Sequence, residues 1–124
     1  MSEMKSRAIH MAVLAILGLS AAPAPAGFYS GKDLAEVCLA KAGSPDYFEK
    51  TYECVAYIAG AVDAFNTTRE VNKLKSCIPA KVTVSKLRDV TVKYLSTDPP
   101  GMNKSASALV FAATRKAWPC PKRK

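Results

Sequence analysis

Apolar and small residues recur at helical spacing through the middle of the chain. Between Asp46 and Phe65 they fall three and four positions apart, which predicts an amphipathic helix with a wide apolar stripe. A stripe of this width requires packing partners on more than one side of the helix. One row of the stripe consists of Phe48, Tyr52, Val55, Ala59, Val62 and Phe65, and a second row of Tyr47, Cys54, Ile58 and Ala61.

Two residues of this central helix depart from the apolar pattern. Gly60 costs a helix interior about 1 kcal/mol relative to alanine, so we expect another backbone to pack closely against it. Asp63 is a carboxylate among apolar neighbours. It either lies at the edge of the stripe or bonds a nearby helix end, or it has a binding role.

The segments beside the central helix have different patterns. The preceding one predicts a short helix from about Lys32 to Ala42, which Gly43 ends. Ser44-Pro45-Asp46 is then a turn that starts the central helix, because serine or aspartate caps helices and proline is tolerated in the first turn. So short a link predicts antiparallel neighbours. Residues 66–79, after the central helix, form a polar connector, with or without a helical turn.

Two more helices are predicted in the second half of the chain. Thr83 is the expected N-cap of the third, and Asp98-Pro99-Pro100-Gly101 ends it. The fourth begins near Asn103 or Ser105. Since no alternating strand pattern of useful length is present, the fold class is all-α, a small four-helix domain. The inward positions are Val84, Leu87, Val90, Tyr94 and Leu95 in the third helix and Ala106, Leu109, Val110, Ala113 and Ala117 in the fourth.

The N-terminal segment has the pattern of a secretory signal peptide. Lys5 and Arg7 precede an apolar run from Met11 to Leu19, which is too short for the roughly 20 residues that span a bilayer. Ala24-Pro25-Ala26 then predicts cleavage after Ala26. We therefore expect residues 1–26 to be a cleaved signal peptide and residues 27–124 to form one exported domain without a membrane span.

All four cysteines lie in the exported part, Cys38, Cys54, Cys77 and Cys120. An even number in an oxidising compartment predicts two disulfides. Antiparallel packing brings the start of the third helix near the end of the fourth, which pairs Cys77 with Cys120 and hence Cys38 with Cys54. A bridge from Cys54 to Cys77 is the main alternative. No metal site is expected, because the chain has no CxxC pair and its only histidine, His10, leaves with the signal peptide.

The chain has a formal net charge of +8, which indicates an acidic partner or surface. No nucleic-acid motif is visible. A mature chain without histidine cannot hold a Ser/His or Cys/His nucleophile, and its carboxylates are dispersed. With no Gly-rich phosphate loop either, we expect neither catalytic residues nor a cofactor. The remaining functional classes are those in which the protein acts by binding a partner.

Six short motifs follow one another along most of the mature chain. They are Tyr57-Ile58-Ala59-Gly60-Ala61-Val62-Asp63-Ala64, Cys77-Ile78-Pro79, Val82-Thr83 with Leu87, Tyr94-Leu95 before a proline-containing break, Ala108-Leu109-Val110, and Trp118-Pro119-Cys120. In this order and spacing they resemble the Rap/Tai family of type VI secretion immunity proteins. The strongest parts are the Tyr-Ile-x-Gly-x-x-Asp-Ala core, Cys-Ile-Pro and the terminal Pro-Cys.

The resemblance implies a small periplasmic helical protein, commonly a homodimer. Such a protein binds and blocks a peptidoglycan amidase effector with a Cys/His centre, delivered by neighbouring or sister cells. The chain departs from the family at Ala56, where glycine is frequent, at Lys86, where glutamine is common, and in a basic stretch around Lys73 and Lys75. The last two departures bear on the identity of the target, because immunity contacts vary with the toxin.

Two other functional classes stay open, an acid-stress periplasmic chaperone and a cationic envelope-binding protein. For an immunity protein the expected contact surface is the break between the third and fourth helices. Its prolines restrict the unbound loop, and Met102 offers an adaptable apolar contact; otherwise the segment is simply a connector. The candidate residues are Ser96, Thr97, Asp98, Pro99, Pro100, Gly101, Met102 and Asn103.

Overall fold

The computed structural model describes residues 28–122, which form four helices. They are α1 (Gly31–Cys38), α2 (Tyr47–Val71), α3 (Val84–Leu95) and α4 (Ala106–Ala117). Within residues 28–122 the only β-type pairing is an isolated antiparallel bridge between Ser30 and Ser105, so the prediction of an all-α four-helix domain is confirmed. The predicted signal peptide lies outside the described residues.

Side-chain caps begin two of the helices. Ser30 Oγ accepts from Asp33 N at the start of α1, and the Asp33 carboxylate accepts from Ser30 N at 2.8 Å, which completes a capping box. Hydrogen bonds from the Ser30 hydroxyl and backbone N–H hold the pKa of Asp33 below its ordinary value. Thr83 caps α3 as predicted, accepting from Lys86 N at 3.2 Å. The sequence pattern thus located the start of α3 correctly.

Two helix ends differ from the predictions. Helix α1 ends at Cys38 instead of Ala42; the next residues are largely exposed, and a short helix needs tertiary packing to continue. Helix α2 runs six residues past Phe65 to Val71. Its polar end satisfies its own carbonyls, since Thr68 Oγ1 donates to Ala64 O at 2.8 Å and Asn72 Nδ2 donates to Thr68 O at 2.7 Å. The first six residues of the predicted connector, 66–71, are therefore helical.

Helix α2 lies at the centre of the fold and packs against α1, α3 and α4. Its buried residues are Cys54, Ile58 and Val62. Phe48 and Tyr52, expected on the inward stripe, are 75% and 74% exposed. The wide apolar stripe is therefore only partly covered within one chain, and the prediction that this whole row packs inside is wrong.

The remaining core comes mainly from α3 and α4. Leu87 and Leu95 are buried in α3, and between them Thr91 Oγ1 donates to Leu87 O at 2.9 Å, which satisfies a buried hydroxyl. Two predicted inward residues, Val84 and Ala117, are exposed, because each stands at a helix end beyond the packed segment. The buried residues of α4 are Ala106, Leu109, Val110, Ala113 and Thr114.

Close backbone packing occurs at Gly31 and not at Gly60. A Cβ on Gly60 would meet no atom within 4 Å, so the expected close approach there is wrong for the single chain. At Gly31, the first residue of α1, a Cβ would lie 2.8 Å from Met102 O and 2.9 Å from Met102 Cα, and it would collide with Leu109 Cδ1. Only glycine lets α1 approach the α3–α4 loop this closely.

Both predicted disulfides are confirmed. Cys38 bonds Cys54 across α1 and α2 with a Cα–Cα distance of 5.0 Å, and Cys77 bonds Cys120 with a Cα–Cα distance of 4.8 Å. The first bridge is buried inside the core, whereas the second joins the α2–α3 connector to the segment after α4. Among residues 28–122, no helix is long and apolar enough to cross a membrane.

Gly31→Ala is expected to destabilise the fold by about 1–3 kcal/mol, because the new methyl group would overpack the contact with Met102 and Leu109. Gly60→Ala is the matched control and is expected to stabilise by about 0.5–1 kcal/mol through helix propensity. Urea denaturation, with the protein at low micromolar concentration, measures both stability changes. Equal effects of the two substitutions would contradict the assigned packing.

Removing the disulfides singly tests their contributions. In the loop-entropy model the 16-residue Cys38–Cys54 separation contributes about 3 kcal/mol and the 43-residue Cys77–Cys120 separation about 4 kcal/mol. Double serine variants of each pair are therefore expected to unfold at clearly lower urea concentration than the wild type. A Cys38/Cys54 variant as stable as the oxidised wild type would contradict the role of the buried bridge.

Candidate partner-binding surface

The candidate surface is the loop between α3 and α4, Ser96–Asn103, whose first half is held by the end of α3. The Ser96 hydroxyl donates to Lys93 O at 2.9 Å, and the Thr97 hydroxyl donates to Tyr94 O at 2.7 Å. Asp98 N donates to Leu95 O at 3.0 Å, and Asp98 adopts a left-handed φ of 46°. These bonds give the start of the loop a fixed course.

The second half of the loop is held by α1. Lys32 N donates to Met102 O and Gly31 N donates to Lys104 O, both at 2.8 Å. These donors are two of the N–H groups at the start of α1 that have no partner inside the helix. Gly101 has a left-handed φ of 91°, which favours glycine. The loop thus satisfies the N-terminus of α1 and is anchored at both ends.

The anchoring divides the eight candidate residues by exposure. Pro99 is buried, and Met102 is half-buried and packs against the core, so Met102 is less available as an adaptable contact than its side chain suggests. Gly101 is also half-buried. The residues that the loop presents to solvent are Ser96, Thr97, Asp98, Pro100 and Asn103.

A groove of about 260 Å³ adjoins the loop and extends its surface. The Lys116 ammonium lies 5.9 Å from the centre of the Tyr94 ring, and Lys93 and Thr97 line the same groove. Sequence reasoning missed this groove because the spacing rule assigned Tyr94 to the core. The basic residues at the ends of α3 and α4 were the available signal. The apolar lining residues are Val90, Ala113 and Ala117.

The other candidates from the sequence lie apart from the loop. Asp63 is exposed, and within residues 28–122 the ion pairs centre on Lys50, with Asp46 at 3.0 Å and Glu36 at 3.2 Å. Hydrogen bonding to Asp46 and Glu36 raises the pKa of Lys50, and the bond from Lys50 lowers the pKa of Asp46. These shifts belong to a surface contact between α1 and α2.

Neither a free cysteine nor a cluster of metal-ligating side chains accompanies this surface among the described residues. Each of the four cysteines is consumed in a disulfide, so none serves as a thiol nucleophile. In the described part of the chain, no group of three or more potential metal-ligating side chains comes together. What the structure offers is a fixed loop with five exposed residues beside a basic, aromatic groove.

Comparison with known families supports the same class. The family model of the Rap1a immunity proteins matches residues 30–120, a range that contains all four helices and both disulfides. No curated protein and no solved structure matches the chain. The resemblance drawn from the motifs is confirmed by the match to the family model. The chain belongs to the family of Rap1a immunity proteins.

Proposed function

We propose that the protein is a periplasmic inhibitor of a peptidoglycan amidase delivered by type VI secretion. The observation that carries the proposal is the family match, which spans the whole helical domain, including the candidate loop. An immunity protein against a secreted effector binds that effector in the compartment where it acts. Two disulfides fit an oxidising compartment, and the predicted signal peptide would deliver the chain to the periplasm.

The loop supports a mechanism without chemistry of its own. An inhibitor that covers an enzyme cleft needs a protruding segment whose conformation is fixed before binding, because ordering a mobile loop weakens affinity. Bonds to Tyr94 O and from Lys32 N provide that order here. The exposed Thr97, Pro100 and Asn103 would enter the cleft and exclude the peptidoglycan substrate.

We further propose a homodimer formed through the open face of α2. Phe48 and Tyr52 stand one helical turn apart and are 75% and 74% exposed, so the two rings form an apolar patch on the surface. An exposed apolar patch of this kind commonly meets its own copy across a two-fold axis. The loop contacts α1 through Lys32 N and the core through Met102, and neither Phe48 nor Tyr52 takes part in these contacts.

A loop variant tests the inhibition mechanism. The variant combines Asp98→Gly, Pro100→Ser and Asn103→Ser, all at exposed positions. The buried or half-buried residues of the loop, Pro99, Gly101 and Met102, are unchanged. The triple variant is expected to weaken inhibition of a peptidoglycan amidase effector, the proposed target, by about ten-fold or more, with unchanged helicity. Peptidoglycan hydrolysis and circular dichroism measure the two effects.

The control for the loop variant is Ala42→Ser with Pro45→Ser, which changes exposed residues of the α1–α2 turn. It is expected to inhibit like the wild type. If the wild-type protein fails to protect cells against a periplasmic amidase encoded beside it, the proposed function is wrong, and protection of client proteins after acid shock becomes the next measurement.

Light scattering at tens of micromolar tests the dimer. The wild type is expected at twice the monomer mass, and Tyr52→Glu is expected at the monomer mass because a charge would be buried without a partner. Val84→Glu, which alters an exposed apolar residue of α3, is expected to remain dimeric. A monomeric wild type would contradict the proposed interface.

A further inference from the structure

A second basic surface lies where the end of α2 meets the segment after α4. A pocket of about 380 Å³ is formed there, and its lining within residues 28–122 includes the cationic Arg69, Lys75, Arg115 and Lys122 and no acidic residue. The rest of the lining is Leu74, Cys120 and Pro121. The pocket therefore combines concentrated positive charge with a small apolar wall.

Two aromatic rings fix the guanidinium groups of this pocket. Phe65 and Phe111 meet edge to face with ring centres 4.5 Å apart. The Arg115 guanidinium lies 4.5 Å from the centre of the Phe111 ring and 5.5 Å from that of Phe65. Cation–π attraction at these distances stabilises the cation and limits its side-chain freedom.

Arg69 is fixed by a different pair of contacts. Its guanidinium lies 5.9 Å from the centre of the Phe65 ring, and its Nε donates to Lys75 O at 2.7 Å. Because the bond uses only Nε, the terminal amino groups of Arg69 keep their donors for a ligand. Arg69 and Arg115 therefore present two positioned guanidinium groups to the same pocket.

The charge of the pocket is not balanced within the part of the chain that the structure describes. All ion pairs found within residues 28–122 involve Lys50, which lies elsewhere. Among the described residues Arg115 Nε has no hydrogen-bond partner, and neither guanidinium group is paired with a carboxylate. An incoming carboxylate would supply acceptors and reduce the repulsion among the four cations.

We propose that Arg69, Lys75, Arg115 and Lys122 form a docking surface for an acidic segment of the partner protein, with aspartate or glutamate carboxylates bound by the two guanidinium groups. The inference rests on the proposed immunity function and names a second contact of the same complex. A planar guanidinium matches a carboxylate through two parallel hydrogen bonds, so positioned arginines suit this ligand better than mobile lysines alone.

The shape of the surface favours an acidic protein segment over other anions. The four cations converge on one pocket with the apolar Leu74 and Pro121, whereas nucleic-acid surfaces distribute their charge along a stripe that follows the phosphate backbone. A second copy of this chain is a poor occupant, because a two-fold interface would bring these cations against themselves. The partner is therefore a different, acidic protein.

The Cys77–Cys120 disulfide assembles this surface. It ties the segment containing Cys120 and Lys122 to the connector that contains Lys75, although the two cysteines are 43 positions apart in sequence. Reduction would free the C-terminal segment and remove part of the positive charge from the pocket. Docking is thus expected to depend on the oxidised state even where the helices persist.

The test measures binding to a catalytically inactive form of the proposed target, a peptidoglycan amidase effector. Lys75→Glu and Arg115→Gln are compared with Lys41→Glu, which gives the same charge change as Lys75→Glu at an exposed site in the α1–α2 turn. We expect the two pocket variants to weaken binding by about ten-fold or more and Lys41→Glu by less than about two-fold. The weakening of effector binding by the pocket variants should become smaller when salt is raised from about 50 to about 200 mM.

Two results would overturn the inference while leaving the proposed function intact. One is tight effector binding by both pocket variants, and the other is equal weakening by Lys75→Glu and Lys41→Glu, which would indicate a general charge effect. Lys75→Glu changes an exposed side chain and is expected to leave the fold intact. Arg115→Gln removes contacts with two rings, so its effect on the fold is measured separately. Melting temperatures of all variants verify that the fold is retained.

If the wild type does not bind the effector, the proposed function fails, and a second probe decides the surface separately. A glutamate-rich peptide and its glutamine-rich counterpart are titrated into the wild type and Lys75→Glu. Binding of the acidic peptide that Lys75→Glu weakens supports the docking surface. Failure to bind it, or preferential binding of duplex DNA or of anionic phospholipid vesicles, would overturn it.

Discussion

The fold depends on the burial of one row of side chains along α2. Cys54, Ile58 and Val62 are the buried residues of this long helix, and α1, α3 and α4 all pack against it. Because the row contains a half-cystine, the contact of α1 with α2 is covalent as well as hydrophobic. A domain of this size buries a modest core, so the covalent link contributes a large share of its stability.

The two proposed binding surfaces depend on two further constraints. Gly31 allows α1 to approach the backbone of Met102, and the free N–H groups at the start of α1 then bond the α3–α4 loop. At another place the Cys77–Cys120 bridge brings the C-terminal segment beside the end of α2. Surface segments that are far apart in sequence are therefore held by the same contacts that stabilise the core. Such order reduces the entropy that binding would otherwise lose.

The sequence predicted the elements well where local chemistry decides them. Thr83 was recognisable as a cap, the proline-rich break separated α3 from α4, and the helix order favoured the disulfide pairing that the structure has, although it left a Cys54–Cys77 bridge open. The sequence-based prediction failed for α2, which has two rows of apolar residues but buries only part of them in the core. Spacing alone cannot distinguish a row facing other helices from one facing solvent, so Phe48 and Tyr52 were assigned inside.

The site was harder to derive than the fold. The loop was identifiable from its prolines, but the loss of Met102 into the core depends on Gly31, some seventy positions away in sequence. The basic pocket was visible only as scattered charges, because Arg69, Arg115 and Lys122 meet through tertiary packing and a disulfide. Contacts between residues that are far apart in the chain produce no periodic pattern in the amino-acid sequence.

The surfaces differ in chemistry in a way that separates their partners. A two-fold interface pairs a surface patch with the same patch of a second copy, which suits the aromatic face of Phe48 and Tyr52. The same symmetry would oppose Arg69 and Arg115 to themselves, and like charges facing each other destabilise an interface. The aromatic face is therefore suited to self-association and the basic pocket to a foreign acidic protein. One small domain can serve both purposes because α2 uses only part of its apolar circumference for its own core.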